Sequence, residues 1–207
     1  MIDRLEGLLR GYRADAEASA PPSDPAPPEG LRRAAVAAIL RPEGELLFIR
    51  RSERHGDPWS GHMAFPGGRM DPVDPSVRAT AERETREEVG LDLSQGGRLI
   101  GRLTDLHSPV RSGPAAMVIS PFVYRLDRSP ALSPNHEVAD VHWLSFERLA
   151  RGEGRGSFEM AWMEERWVMP CIDIDGVRIW GLTLRMVDEL LERVGAPTSP
   201  PPRRRDG

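Results

Sequence analysis

Four glutamates occur within seven positions of the segment ERETREEVGL, residues 82–91. If this segment is a helix, Glu84, Glu87 and Glu88 are spaced i, i+3 and i+4 and cluster on one face, whereas Glu82 points elsewhere. Like charges at these spacings repel one another. The cluster therefore indicates either a solvated helix face or a site for a divalent cation, and the neighbouring residues help to choose between them.

A glycine pair precedes the acidic segment, in the sequence FPGG at residues 65–68. Glycine allows the backbone to approach a ligand closely or to turn with a positive φ. A carbonyl at this turn and three carboxylates on a facing helix would form an all-oxygen site. Such a site suits Mg²⁺ or Mn²⁺, whereas the thiolate and imidazole ligands that zinc favours are not in evidence.

The signals at both ends of the acidic segment predict a helix over residues 75–89. Asp74 is a suitable N-cap, or else a residue that orients the loop, and Pro75 is a suitable first helical residue. Gly90 is a suitable stop after the last turn. One apolar stripe would then hold the helix against a core. Its members are Val77, Ala81, Thr85 and Val89.

The remaining sequence predicts a domain with extensions. Residues 1–20 form an N-terminal helix, with apolar residues at helical spacing over 2–18, and this stripe is predicted to dock on the domain or on a partner subunit. Residues 21–30 form a Pro-rich linker, residues 31–195 the domain, and residues 196–207 a disordered tail.

Strand-like segments dominate the predicted domain. Short and longer helices are predicted at 146–151 and 183–194. Strands mixed with few helices indicate an α+β or an α/β sandwich architecture. The strand candidates are 33–40, 45–50, 98–106, 115–126, 138–144 and 177–182.

Composition excludes several classes of function. Hydrophobic residues make up 39% of the 207 residues and charged residues 29%, as in an ordinary globular protein. The net charge of −4 argues against broad nucleic-acid binding, and no apolar run is long enough to span a membrane. The N-terminus resembles neither a secretory signal nor a transit peptide, so a cytoplasmic location is expected. Cys171 is the only cysteine, and the absence of lysine excludes a lysine nucleophile.

The segment from Gly68 through Asp74 to RETREEVGL, residues 83–91, resembles the Nudix box. Asp74 stands where that family usually has glutamate, with one extra residue before Arg83, and Thr85 replaces an aliphatic residue. The second departure is mild, and the first matches the coenzyme A diphosphatase-like subgroup, which FPGGRMDPVDPSVRATAERETREE resembles closely. The resemblance covers residues 31–194 and implies an α/β fold, the Nudix α/β/α sandwich with a mixed β-sheet and a catalytic loop-helix-loop.

The subgroup signature upstream of the box is altered in this chain. LLFIRRS and GHMAFPGG are present, but the spacing between them is one residue longer than in the subgroup. HGDPWS, residues 55–60, occupies the place where an arginine is expected, and Arg54 is the candidate substitute. Specificity for coenzyme A is therefore open at this point.

The resemblance also implies roles for individual residues. Arg83 would hold a box glutamate through a salt bridge. The general base would be either Glu137, which precedes a predicted strand, or one of the box glutamates. The metal ligands would be Glu84, Glu87, Glu88 and the carbonyl of Gly68.

Substrate contacts are predicted around the glycine loop. Arginine suits bidentate contact with phosphate, and Trp59 could stack on a base or serve in packing. The candidates for anion binding are Arg50, Arg54, Arg69 and His62.

The resemblance implies hydrolysis of a diphosphate bond in a nucleoside diphosphate derivative, with Mg²⁺ or Mn²⁺ as cofactor. Coenzyme A would give 3′,5′-ADP and 4′-phosphopantetheine, and the alternatives are ADP-ribose, a dinucleotide or a nucleoside triphosphate. A nucleotide-sensing Nudix module without turnover is a further alternative. The predicted partner is a small-molecule nucleotide, with no nucleic acid and no membrane, and a homodimer is consistent with the family.

Overall fold

The computed structural model describes residues 1–9, 31–55, 59–108, 117–162 and 165–205. The predicted linker at 21–30 and the predicted N-terminal helix beyond residue 9 lie outside these ranges. Within them the helices are α1 (residues 2–9), α2 (Val77–Val89), α3 (Phe146–Ala150) and α4 (Gly181–Arg193). No helix in the described part of the chain is long and apolar enough to cross a membrane.

Strands and helices are interspersed along the chain. They are β1 (Arg32–Leu40), β2 (Glu45–Arg51), β3 (Met63–Ala64), β4 (Gly67–Arg69), β5 (Gly97–Arg102), β6 (Leu106–Ser108), β7 (Met117–Leu126), β8 (Val138–Ser145), β9 (Arg155–Trp162), β10 (Glu165–Ile174), β11 (Val177–Trp180) and β12 (Arg203–Arg204).

The main sheet contains parallel and antiparallel pairs, and its strands β1 and β2 separate along their length. Its order is β3-β2-β1-β7-β5, with β1 parallel to β7 and the other pairs antiparallel. β1 and β2 pair at Leu40 and Leu46, but further along β4 pairs with β1 and β3 pairs with β2. The FPGG loop thus lies between the two separating strands. This insertion places the glycine pair inside the sheet.

Helices cover both faces of the main sheet. One apolar cluster joins Val77, Ala81 and Val89 of α2 to alternate residues of β1, β2 and β7. The second cluster, on the opposite face, contains residues of α1 and α4. The predicted α/β/α sandwich is confirmed.

A smaller sheet follows α3, and three of its four strands (β9, β10 and β12) were not predicted from the sequence. β9 and β10 form an antiparallel hairpin, and β11 and β12 pair along β10. The prediction of a disordered tail differs from the structure, where Arg203 and Arg204 pair with Val168 and Trp167. An exposed ion pair between Arg204 and Glu165, at 2.6 Å, accompanies this pairing. The tail thereby acquires a defined position.

The N-terminal helix docks on the main domain. Leu5 and Leu9 of α1 are fully buried in the second apolar cluster. Glu6 is also buried, and its carboxylate accepts hydrogen bonds from Arg98 (Nη2, 3.0 Å) and Arg125 (Nη1, 2.9 Å). Of the two predicted docking partners, the domain of the same chain is therefore the one that α1 contacts.

Candidate functional site

The ends of α2 set the position of the acidic face. The N-cap is Ser76, whose side chain accepts a hydrogen bond from the Ala79 amide, so the prediction of Asp74 as N-cap is wrong. Asp74 is buried, and its carboxylate instead accepts a 2.9 Å hydrogen bond from the hydroxyl of Thr80. Gly90 adopts the left-handed conformation with φ of 70° and ends the helix, as predicted.

The predicted apolar stripe of α2 packs against the sheet. Val77, Ala81, Thr85 and Val89 are all buried. Glu82 accepts a 2.8 Å hydrogen bond from the hydroxyl of the buried Tyr124, which ties the helix to β7. This packing fixes the rotation of α2 and turns the other glutamates toward the glycine loop.

The two glycines of FPGG are required for different reasons. Gly67 has φ of 153°, and a Cβ on it would lie 2.2 Å from the carbonyl oxygen of Ala35. A Cβ on Gly68 would lie 2.4–2.6 Å from the carboxylate atoms of Glu84. The helix therefore approaches the loop so closely that a glutamate carboxylate fills the space of a side chain.

Two of the box glutamates are withdrawn from solvent. Glu88 is 3% exposed and accepts a 2.8 Å hydrogen bond from the amide of Gly67. Desolvation raises the pKa of Glu88 to about 8, partly opposed by this hydrogen bond. Desolvation also raises the pKa of Glu84, and the charges of Glu87 and Glu137 act in the same direction. Burial beside the loop thus disfavours the charged form of both carboxylates, and Arg83 partly opposes this effect at Glu84.

Arg83 contacts the acidic face of α2 directly. Its guanidinium donates to Asp74 from Nε (2.8 Å) and Nη2 (3.0 Å), and it donates to the carbonyl of Arg69. It also lies 3.0 Å from Glu84 and 3.0 Å from Glu87. The arginine therefore links the loop after β4 to the acidic face of α2, in agreement with the predicted salt bridge.

The glutamate carboxylates are suitable ligands for a divalent cation, but their side chains do not converge on a single point. In the described part of the chain no group of three or more acidic, histidine or cysteine side chains could hold a metal ion as it stands. Arg83 contacts two of the three carboxylates, and Glu88 is turned toward Gly67. Half of the Glu87 side chain is exposed, so it can turn without disturbing the core. The donors are oxygen atoms only, which suits a hard divalent cation.

Glu137 lies within electrostatic reach of the box glutamates. Its charge raises the pKa of both Glu84 and Glu88. Arg54 donates a 2.6 Å hydrogen bond to its carboxylate, in a half-exposed ion pair. Tertiary structure therefore brings together two residues that the sequence singled out separately.

The other predicted anion-binding residues are more dispersed. Arg69 is exposed at the end of β4, and the His62 ring packs edge-on against Trp180 with a centroid distance of 4.7 Å. Arg50 shares its strand face with Leu46 and Phe48, which contact the cluster opposite α2. Contact of these three residues with phosphate stays a prediction.

Arg51 also flanks the glycine loop, although it was not among the predicted anion-binding residues. Its positive charge lowers the pKa of Glu88, so it lies near that carboxylate. On β2 it alternates with Arg50 and shares the α2 face with Leu47 and Ile49. Strand alternation could have predicted this position, because Arg51 has the same parity as Leu47 and Ile49, which pack on the face of the sheet that α2 covers.

Comparison with known proteins agrees with this geometry. The NUDIX domain family matches residues 30–161. The chain is 31% identical to the human mitochondrial coenzyme A diphosphatase NUDT8 over 176 residues, which cover 82% of this chain and 73% of that protein. It is 32% identical to the uncharacterized Nudix hydrolase NudL of Photorhabdus laumondii over 179 residues, which cover 82% and 91%.

Solved structures show the same fold. The crystal structure of the MutT protein from Methanosarcina mazei superposes with a TM-score of 0.51 at 18% identity, covering 80% of this chain and 95% of that one. The chain belongs to the Nudix family. It is a Nudix pyrophosphohydrolase, in a family of hydrolases that act on nucleoside diphosphate derivatives.

Proposed function

We propose that this protein hydrolyses the diphosphate bond of coenzyme A or a coenzyme A derivative, in a reaction that depends on Mg²⁺ or Mn²⁺. The products would be 3′,5′-ADP and 4′-phosphopantetheine. The observation that carries the hydrolytic part is the concentration of Glu84, Glu87 and Glu88 on one face of α2, with the Glu84 carboxylate seated against Gly68. The part concerning coenzyme A is supported by the similarity to human NUDT8 and by the LLFIRRS and GHMAFPGG segments.

The three box glutamates and the Gly68 carbonyl are proposed to hold the cation. When bound, the cation would neutralise diphosphate charge and lower the pKa of the attacking water. Glu88 already has its carboxylate oriented by the Gly67 amide, whereas Glu87 must leave Arg83 to join it. Arg83 positions the loop through Asp74 and does not need to touch the substrate.

Glu137 is proposed as the general base, with a box glutamate as the alternative. Its carboxylate lies near Glu84 and Glu88 yet remains 40% exposed, so it can accept a proton from water and return it to solvent. Arg54 pairs with Glu137 and is proposed to turn toward a substrate phosphate when that pair opens. Exposed pairs of this kind are weak, about 0–1 kcal/mol, so opening costs little.

A panel of substrates tests the proposal. Coenzyme A, ADP-ribose, a dinucleoside polyphosphate and a nucleoside triphosphate are incubated with Mg²⁺ or Mn²⁺, and the products are identified by mass spectrometry. We expect preference for coenzyme A and loss of turnover by about 100-fold or more in Glu87→Gln, because a ligand to the cation is removed. Glu192→Gln is the matched control, since this exposed glutamate lies on α4.

Each other outcome selects a different function. Preference for ADP-ribose, a dinucleotide or a nucleoside triphosphate would keep the hydrolytic chemistry and reject coenzyme A as substrate. Saturable nucleotide binding without product, unchanged in Glu87→Gln, would identify a sensing module. The intact set of glutamates favours the enzyme over that module.

A further inference from the structure

We propose that Asn135 is a positioning residue, which holds Glu137 in register with the acidic face of α2. This inference rests on the proposed function, because it concerns Glu137 as the general base of that reaction. Asn135 lies in the connection between β7 and β8, and no role was predicted for it from the sequence. Its amide, its carbonyl and its side chain each make a separate hydrogen bond, and together these bonds join α2 to the start of β8.

The carboxyl end of α2 is the anchor for this connection. The carbonyls in the last turn of a helix have no partner within the helix. Here the Asn135 amide donates a 2.9 Å hydrogen bond to the carbonyl of Glu88. The Ser133 amide donates one of 2.9 Å to the carbonyl of Val89. The approach is close, since a Cβ on Gly90 would lie 3.1 Å from the Cβ of Ser133. Asn135 is thereby attached to the backbone of a proposed ligand to the cation.

The side chain of Asn135 fixes the residue two positions further on. Its Oδ1 atom accepts a 2.8 Å hydrogen bond from the Glu137 amide, and its carbonyl accepts one of 3.2 Å from the Val138 amide. A bond from an asparagine side chain to the backbone two residues on is an Asx turn, which reproduces the geometry of a backbone turn. This turn sets the direction in which Glu137 leaves the connection, directly before β8 begins.

A second contact holds Glu137 from the side of β2. The amide of Ser52, the first residue after β2, donates a 2.8 Å hydrogen bond to the Glu137 carbonyl. The hydroxyl of Ser52 donates to the carbonyl of His136 at 2.9 Å. The backbone of Glu137 is thus bound on its carbonyl side to the end of β2 and on its amide side, through Asn135, to α2. These two links place the base relative to Glu88.

The pairing of β8 with β2 does not fix this position by itself. Val138 and Asp140 are two residues apart, yet they pair with neighbouring residues of β2, which leaves one extra residue in β8 beside Glu137. An extra residue of this kind bends a strand and re-aims the side chains next to it. The Asx turn therefore supplies the constraint that the strand pairing lacks. Its loss matters for catalysis, because misplacing a reacting group by about 1 Å can lower a rate by about 100-fold.

The side-chain contact can be removed while the backbone links remain. Asn135→Ala deletes the acceptor for the Glu137 amide but keeps the amide that binds Glu88, whereas Asn135→Asp keeps an acceptor oxygen. Asp92 supplies the matched control, because its carboxylate accepts a 2.9 Å hydrogen bond from the Ser94 amide in the same kind of turn. Asp92→Ala should leave turnover unchanged.

Steady-state kinetics of the full chain with Mg²⁺, on the diphosphate of the substrate panel that is hydrolysed fastest, test the assignment. We expect Asn135→Ala to lower kcat about tenfold and to keep KM within about twofold, because the displaced base slows proton transfer and not binding. Asn135→Asp should recover kcat to within about threefold of wild type, since the turn is restored. In the Glu137→Gln background, Asn135→Ala should change kcat by less than about twofold, because a residue that acts through Glu137 has no further effect there. Equal melting temperatures would show that the variants are folded.

The possible results separate this inference from the proposed function. Wild-type kcat in Asn135→Ala, a loss that Asn135→Asp does not reduce, or an equal loss in the Glu137→Gln background overturns the positioning role and leaves the proposed reaction in place. Wild-type turnover by Glu137→Gln rejects Glu137 as the base and this inference with it. If the variants behave as expected on a diphosphate other than coenzyme A, only the proposed substrate fails. A wild type that hydrolyses none of the compounds overturns both.

Discussion

Replacing Asp74 by asparagine should destabilise the protein by an amount that disappears in acid. The carboxylate is buried and receives hydrogen bonds from Arg83 at 2.8 and 3.0 Å, from Thr80 at 2.9 Å and from the Asp71 amide at 2.9 Å. Hydrogen bonding to Arg83 is the main cause that lowers the pKa of Asp74 from 3.8 to about 2. That difference corresponds to roughly 2 kcal/mol of folding free energy.

The direction of the pH dependence follows from the lowered pKa. Above pH 3.8 the carboxylate is charged in both folded and unfolded chains, so its full contribution is present. As the pH falls from 3.8 toward about 2, the unfolded chain takes up the proton first and the contribution is lost. Asp74→Asn should therefore unfold about 2 kcal/mol more easily at neutral pH, and the difference from wild type should shrink below pH 3.8.

Urea unfolding at a series of pH values measures this difference directly. Ser76→Ala provides a contrast, because loss of the true N-cap should cost about 1 kcal/mol at every pH. Asp127→Asn, at an exposed position, should change little. If the difference in unfolding free energy between Asp74→Asn and wild type stays constant from neutral to acidic pH, the ion pair between Asp74 and Arg83 is not its source.

Further substitutions test other parts of the structure. Gly68→Ala should lower turnover by about 100-fold with little change in melting temperature, because the new Cβ displaces only a flexible carboxylate. Gly67→Ala should instead cost more than about 1 kcal/mol in urea unfolding, since its Cβ meets backbone at a positive φ. Without added metal, Glu88→Gln should be more stable than wild type near pH 8, because the buried carboxylate of Glu88 destabilises the folded chain as it ionises. This advantage should disappear as the pH falls toward 4.5, where Glu88 is protonated in the folded chain. If urea unfolding gives the two proteins the same stability at both pH values, this prediction is wrong. Leu9→Ala should lower the melting temperature, whereas Leu8→Ala, at a 46% exposed position, should not.

The acidic helix shows how much the sequence determined by itself. Its apolar stripe, its end at Gly90 and the common face of Glu84, Glu87 and Glu88 all follow from a period of 3.6 residues and from local backbone preferences. The α/β/α sandwich followed from the resemblance that these residues carry, and most strands followed from apolar runs. Such features depend on residues that are close in the chain, so the sequence is sufficient to predict them.

Other features depended on partners that are distant in the chain. Local preference favoured Asp74 as the helix cap, but burial beside Arg83 gives this carboxylate a stronger interaction and leaves the cap to Ser76. Strands β9 and β10 lack a clear alternation and are stabilised by pairing with each other. The position of Arg51 beside Glu88 depends on which face of β2 the helix covers.

A bulge at residues 103–105 is the clearest example, because β5 pairs Arg102 with Phe122 and β6 pairs Leu106 with Ile119, which leaves three residues opposite two. Simple alternation would place Thr104, not Asp105, on the face of Arg102. The register of β7 and the anchoring of Thr104 by Glu189 reverse that order. The sequence therefore determined which residues could bind a cation, because their spacing is local. Only the tertiary structure decided which side chains surround them, because that depends on how distant strands align.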